Sequence, residues 1–167
     1  MTTDTYNVLN LGLQALISIA MIATFVVYFL QLRAMQRGAT GQNILALVNY
    51  LQAEHVRAAR TTVRATLKTK PYSEWSAVEK RDAALVCSTY DVAAILILDQ
   101  KLVPPEPFIS NWGPSICDCY EVCQPHISEL QRPENSGSAY WNDFERLYER
   151  SKAVIAAQHP LAAGGGR

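Results

Sequence analysis

From Thr5 to Leu32 the chain carries no charged side chain, and Arg33 and Arg37 then close the run. Drawn as an α-helix, Leu11 to Leu30 rises roughly 30 Å, the hydrocarbon thickness of a bilayer. The pattern therefore predicts a transmembrane helix, with residues 1–8 as a short tail and 9–37 as the span and its juxtamembrane segment. Beyond Gly38 the apolar residues recur at three and four, the period of an amphipathic helix. Ile44, Leu45, Val48 and Leu51 predict one helix from about Gln42 to Leu51. Val56, Ala59, Val63 and Leu67 predict a second from about Glu54 to Leu67, with Gly38 and Gly41 separating the pair from the anchor. Ser76 and Glu79 stand in the S-x-x-E spacing of a capping box and open the longest helix, expected to reach about Leu102. Its end, Val92 to Leu98, is apolar on every side, which predicts the most buried element.

Pro104, Pro105 and Pro107 end that helix and start another, from about Glu106 to Leu130, because proline fits a first turn and not a helix interior. Gly113-Pro114 and Pro125 predict a break or kink inside it. After a polar loop over 133–138, Trp141, Phe144, Leu147 and Tyr148 predict a last helix from about Ala139 to Ala157. No alternating β-branched run appears between turn signals, so the fold class is all-α: one N-terminal transmembrane helix, then a bundle of about four to five helices over 38–158, and a tail over 159–167.

Charge sets the orientation. A cleaved signal peptide would need basic residues ahead of the apolar run and a small-residue cleavage site after it, and neither occurs. Instead Arg33 and Arg37 follow the run, which by the positive-inside tendency places the N-terminus outside the inner membrane and the larger C-terminal part in the cytoplasm. Phe25, Tyr28 and Phe29 suit an interfacial belt, while Gly12, Ala15, Ala20 and Ala23 make no clean GxxxG face. Fifteen basic residues balance fifteen acidic ones, so no global field favours nucleic acid. Four cysteines in a reducing compartment imply free thiols.

Three constellations bear on chemistry. Cys119, Cys123 and His126 fall on one helix face, where three soft ligands have the character of a zinc site; Cys117 points elsewhere on a regular helix, Cys87 is a further candidate, and small buried cysteines also simply fill cores. Arg57, Arg60, Arg64 and Lys68 form a basic stripe beside the apolar one, suited to the anionic leaflet or a partner, or to plain salt bridges. Asp91 enters an apolar stretch, where an unpaired carboxylate is costly, so it should either face solvent or meet a cation such as Arg132 or an arginine of the basic helix, and a structural ion pair is the expected role. No G-x-S-x-G, H-E-x-x-H, P-loop or dinucleotide fingerprint occurs; no catalytic residue and no cofactor is assigned, and an enzyme is the weaker class.

The N-terminal span followed by Leu32-Arg33, the Ala59-Arg60 helix, Tyr90-Asp91 before an apolar helix end, Pro125 with Ile127, Arg132 and Phe144-Glu145 together resemble a family of small bacterial membrane-anchored proteins of unknown function. The chain departs from that pattern in its cysteines and Tyr120, and in Gln100-Lys101 where a glycine often follows. The resemblance implies an anchored helical domain and transfers no catalytic residue. Function is accordingly expected to be binding: a self-associating or partner-docking interaction module held at the bilayer, with Trp75, Trp112 and Tyr140 as contact aromatics, or a single-span accessory subunit packed on other membrane proteins. A thiol or metal sensor built on the cysteine cluster is the third reading.

Overall fold

The computed structural model describes residues 3–135 and 140–158. Among these residues every regular element is helical: α1 (Thr3–Gln52), α2 (Glu54–Thr61), α3 (Ala77–Ala94), α4 (Pro105–Leu130) and α5 (Asn142–Gln158), with π-helical turns at Thr62–Thr66 and Ile95–Asp99. Gly38 and Gly41 lie inside α1 and do not end it, which corrects the expectation that they separate two helices. A glycine costs a helix interior only about 1 kcal/mol, too little to interrupt so long a run. The chain divides into two compact units, Met1–Gln42 and Asn43–Arg167.

In the first unit, Leu11, Leu16, Ile22, Phe25 and Tyr28 are all more than half exposed. Among the described residues one helix is long and apolar enough to cross a membrane, and it is this one.

The second unit begins with the last turns of α1, whose Leu47 and Leu51 are buried. Ala53 breaks the run between α1 and α2 with an extended backbone (ψ 137°). Two consecutive threonines, Thr61 and Thr62, donate their hydroxyls back to the carbonyls of Arg57 and Ala58 at 3.0 and 3.3 Å. Such back-bonding competes with the regular ladder, and the helix passes into its first π turn at this point. The expected capping box opens α3: Ser76 Oγ accepts the Glu79 N–H at 3.3 Å, and the Glu79 carboxylate accepts the Ser76 N–H at 2.7 Å. Lys70 pairs with the same carboxylate at 2.8 Å, and these bonds together hold Glu79 down at about 2.

The end of α3 is less buried than its composition predicts. Ala93, Ala94 and Ile97 are buried, but Val92 is 42% exposed and Leu96 and Leu98 are half-buried. The regular helix stops at Ala94, and the π turn carries the chain to Lys101, which takes the left-handed conformation (φ 51°) usual for a glycine at a helix end. α4 runs from Pro105 to Leu130 as one helix with Pro114 and Pro125 inside it, so the expected break is absent. Both prolines lie on the exposed side. Gly113, by contrast, is buried; a Cβ there would sit 3.2 Å from the Ile155 side chain, so the missing methyl lets α5 approach.

α5 closes the core against α3 and α4. Phe144 is fully buried, stacked on Tyr90 at 5.2 Å and edge-on to Tyr120 at 5.1 Å. Trp141, just before α5, is held at φ 57° by burial and by its indole N–H, which donates to Ser88 Oγ at 3.1 Å. A bulky residue in the left-handed region is uncommon and persists only where its surroundings over-determine it. Of the loop over 133–138, residues 136–138 fall outside the described residues, as do Ala139 and the tail over 159–167.

Candidate functional site

The basic stripe does not form one free cationic face. Arg64 Nε and Lys68 Nζ both reach the Asp118 carboxylate of α4, at 2.8 and 2.6 Å. These two bonds hold the Asp118 carboxyl below its usual range. Arg57 is exposed, whereas Arg60 is only 8% exposed and lies over the Trp112 ring with its guanidinium carbon 4.9 Å from the centroid. No carboxylate pairs with Arg60 among the described residues, and its Nη1 is buried without a hydrogen-bond partner. Arg60, Thr61, Arg64, Ala65 and Asp118 line a surface cleft of about 250 Å³ beside the first π turn.

Asp91 does not pair with Arg132. Its Oδ1 accepts the backbone N–H of Phe144 at 3.0 Å, so it caps the first turn of α5 from a neighbouring helix. Burial raises the Asp91 carboxyl, and the backbone bonds of Phe144 and Asp143 work against that rise. The four unpaired N–H groups at a helix start are a stronger pull on this carboxylate than a distant guanidinium. Arg132 pairs locally with Glu129 at 3.0 Å instead.

The cysteine helix face is real, but it is packed rather than open. Cys119 and Cys123 are fully buried, Cys87 of α3 meets Cys123, and His126 is buried. His126 Nδ1 lies 3.1 Å from the Tyr72 hydroxyl, and its ring is boxed by Tyr72, Trp75 and Trp141 at 5.8–6.3 Å. Burial lowers the His126 pKa, favouring the neutral ring. Among the described residues no group of three or more His, Cys, Asp or Glu side chains is arranged to hold a metal ion. Burial pushes the Cys119 thiol up to about 12 and raises Cys87 well above the thiol range. Cys117, half-buried, is the thiol nearest solvent. A thiol-reactive reagent at neutral pH is therefore expected to label Cys117 first in the folded protein, with the other three reacting only on unfolding. Mass spectrometry of the alkylated protein checks this, and early labelling of Cys119 or Cys123 would contradict the packing.

Of the aromatics expected on a contact surface, only Tyr140 is exposed, at 41%. Trp75 is buried, its indole N–H donating to the Lys70 carbonyl at 3.1 Å, and Trp112 is half-buried between Phe108 and Arg60. The apolar surface lies elsewhere, in a groove of about 290 Å³ lined by Ala46, Leu47 and Tyr50 from the end of α1, Val92 and Leu96 from the end of α3, and Leu102. Tyr50, Val92 and Leu102 are each 41–42% exposed there. The left-handed Lys101 turns the chain so that Leu102 and Val103 wall this groove, and the Asn43 amide donates to the Leu102 carbonyl at 3.4 Å. Sequence periodicity could not find the groove, because each of its walls reads as an ordinary buried helix face.

These features define an all-helical domain that follows a long apolar helix. The chain belongs to the family described as domain of unknown function DUF4760, which matches residues 18–151. The match begins inside the apolar part of α1 and ends in α5, so it takes in the apolar run from residue 18 onward. No curated protein and no solved structure matches the chain.

Proposed function

We propose that this protein is a helical docking module held at the inner membrane by α1, with its bundle in the cytoplasm, and that it works by seating the apolar face of a partner's helix in the groove between the ends of α1 and α3. The observation that carries the reading is the groove itself: three large apolar side chains left 41–42% exposed around one concavity. None of the eight side chains that line it is charged, which fits an apolar occupant. At about 290 Å³ the groove is at or below the small end of free-ligand pockets, about 300–1,000 Å³, and suits a few side chains of a helix. Arg33 and Arg37 immediately after the apolar run support the orientation. An accessory subunit of a larger complex is the same chemistry with a permanent partner.

The test is native mass spectrometry of the full chain extracted gently from its own membranes, beside Val92→Glu. A stoichiometric companion that the substitution releases is the expected result, since a carboxylate buried in an apolar contact costs several kcal/mol. Recovery of the unsubstituted chain alone as a monomer would overturn the reading, and recovery as a homo-oligomer would replace the partner helix with a second copy.

A further inference from the structure

Arg60 poses a problem of charge. Arg60 is nine-tenths buried as a residue, and a cation so placed needs a counter-ion or a full set of acceptors, because a buried unpaired charge is among the most costly features a fold can carry. The fold supplies only part of this. The Trp112 face offers a cation–π contact at 4.9 Å, and the Tyr90 hydroxyl, which also bonds Ser115 Oγ at 3.0 Å, lies within reach of the Arg60 guanidinium as a neutral partner. Nη1 is left without an acceptor.

The acid that shares its cleft, Asp118, is already taken. One of its oxygens accepts from Arg64 Nε at 2.8 Å and the other from Lys68 Nζ at 2.6 Å. Arg60, Arg64 and Lys68 set against one carboxylate leave an excess of two positive charges around a cleft of about 250 Å³ that Arg60 itself lines. The cleft abuts the π turn Thr62–Thr66, a distortion frequent at functional sites.

We infer that the cleft over Arg60 binds a phosphate monoester group, with the Arg60 guanidinium as its principal donor and Arg64 as the second. Three properties select this class. A guanidinium presents paired donors in a plane, which match two oxygens on one phosphorus atom. A monoester carries about −1.5 to −2 charge at pH 7, which balances the local excess, whereas a carboxylate would leave half of it. Asp118, pinned by two cations, presents little free negative charge to repel it. The group has two possible carriers: a small soluble phosphate compound, or the headgroup of a lipid with a terminal phosphate. The site is separate from the apolar groove and does not depend on the docking reading.

Trp112 is a built-in reporter, because the chain holds only three tryptophans and Trp112 alone stacks on Arg60. The experiment is fluorine NMR of the full chain in detergent micelles, labelled with fluorotryptophan and assigned by Trp112→Phe, during titration with inorganic phosphate against chloride at matched ionic strength. The expected result is a saturable shift of the Trp112 resonance with phosphate, while Trp75 and Trp141 stay still. Arg60→Gln is expected to weaken binding at least about tenfold. Arg64→Ala, at a more exposed position, is expected to weaken it less and keeps the test available if the Arg60 variant does not fold. The same titration with the protein in phosphatidylcholine vesicles doped with phosphatidic acid separates the carriers: a Trp112 shift in these vesicles and none with inorganic phosphate assigns the site to the lipid headgroup. No Trp112 shift in either arm, or a shift that Arg60→Gln leaves unchanged, overturns the inference.

Discussion

Phe144→Ala is expected to destabilise the bundle by about 3–5 kcal/mol, the cost of emptying a large aromatic site in a core that cannot close around it. Phe144 is fully buried at the junction of three helices: α5 carries it, α3 stacks Tyr90 on it at 5.2 Å, and α4 turns Tyr120 edge-on to it at 5.1 Å. Tyr120 in turn stacks on Tyr148 at 4.3 Å, so the cavity would remove support from a connected aromatic cluster rather than from one contact. The hydroxyl of Tyr90 is tied to Ser115 and cannot swing in to fill the space. Chemical denaturation of the full chain in detergent, followed by tryptophan fluorescence, measures the effect. A loss below about 1 kcal/mol, the size of an ordinary surface change, would show that α5 is not locked into the core in this way.

The second large effect is expected at Asp91, and it discriminates between two roles for the same carboxylate. As the cap of α5 it accepts the Phe144 N–H at 3.0 Å, so Asp91→Ala is expected to cost about 1–2 kcal/mol and to free the amides of Asp143 and Phe144 to exchange with solvent. Asp91→Asn keeps an acceptor oxygen in place and is expected to retain most of that stability. An ion-pair role would behave in the opposite sense, with Asn as damaging as Ala. Asp91 and Phe144 share one hydrogen bond and one core site, so the double substitution is expected to cost less than the sum of the singles. Amide exchange at α5, read beside denaturation, separates cap loss from general loosening.

Much of this fold is legible in the chain because helices advertise themselves locally. The capping box at Ser76 and Glu79, the proline-rich start of α4 and the apolar stripes of α2 and α5 are each set by neighbours within a few residues, and the structure forms all of them. The misreadings have a common origin in tertiary context. Gly38 and Gly41 resemble a hinge in sequence, yet the penalty of two glycines is small beside the length of α1. Pro114 and Pro125 do not end α4, and both lie on its exposed side. Burial of the region 92–98 was overread because composition shows how apolar a segment is and not which side is covered, and Val92 and Leu96 line a groove instead.

The candidate sites were harder to read, since each depends on which helices meet. Arg57, Arg60, Arg64 and Lys68 share a stripe by spacing, but only the approach of Asp118 and Trp112 from α4 divides them into an exposed residue, a buried cation and a clamped pair. Likewise Cys119, Cys123 and His126 do share a face, and what covers that face, Cys87 and the rings of Tyr72, Trp75 and Trp141, is set by elements distant in sequence. The signal that could have marked Asp91 as a cap is its position in the last turn of α3, but which helix start lies beside it is set by the packing of α5, distant in sequence.

The groove between the ends of α1 and α3 is proposed as the seat of a partner helix. The most direct measurement is site-specific photo-crosslinking in the organism's own membranes, with a photoreactive residue in place of Val92 and, as a control, in place of Ala153 on the exposed side of α5. A discrete adduct to another membrane protein from position 92, absent from position 153, is the predicted result. No adduct from position 92, or the same diffuse set from both positions, would contradict it.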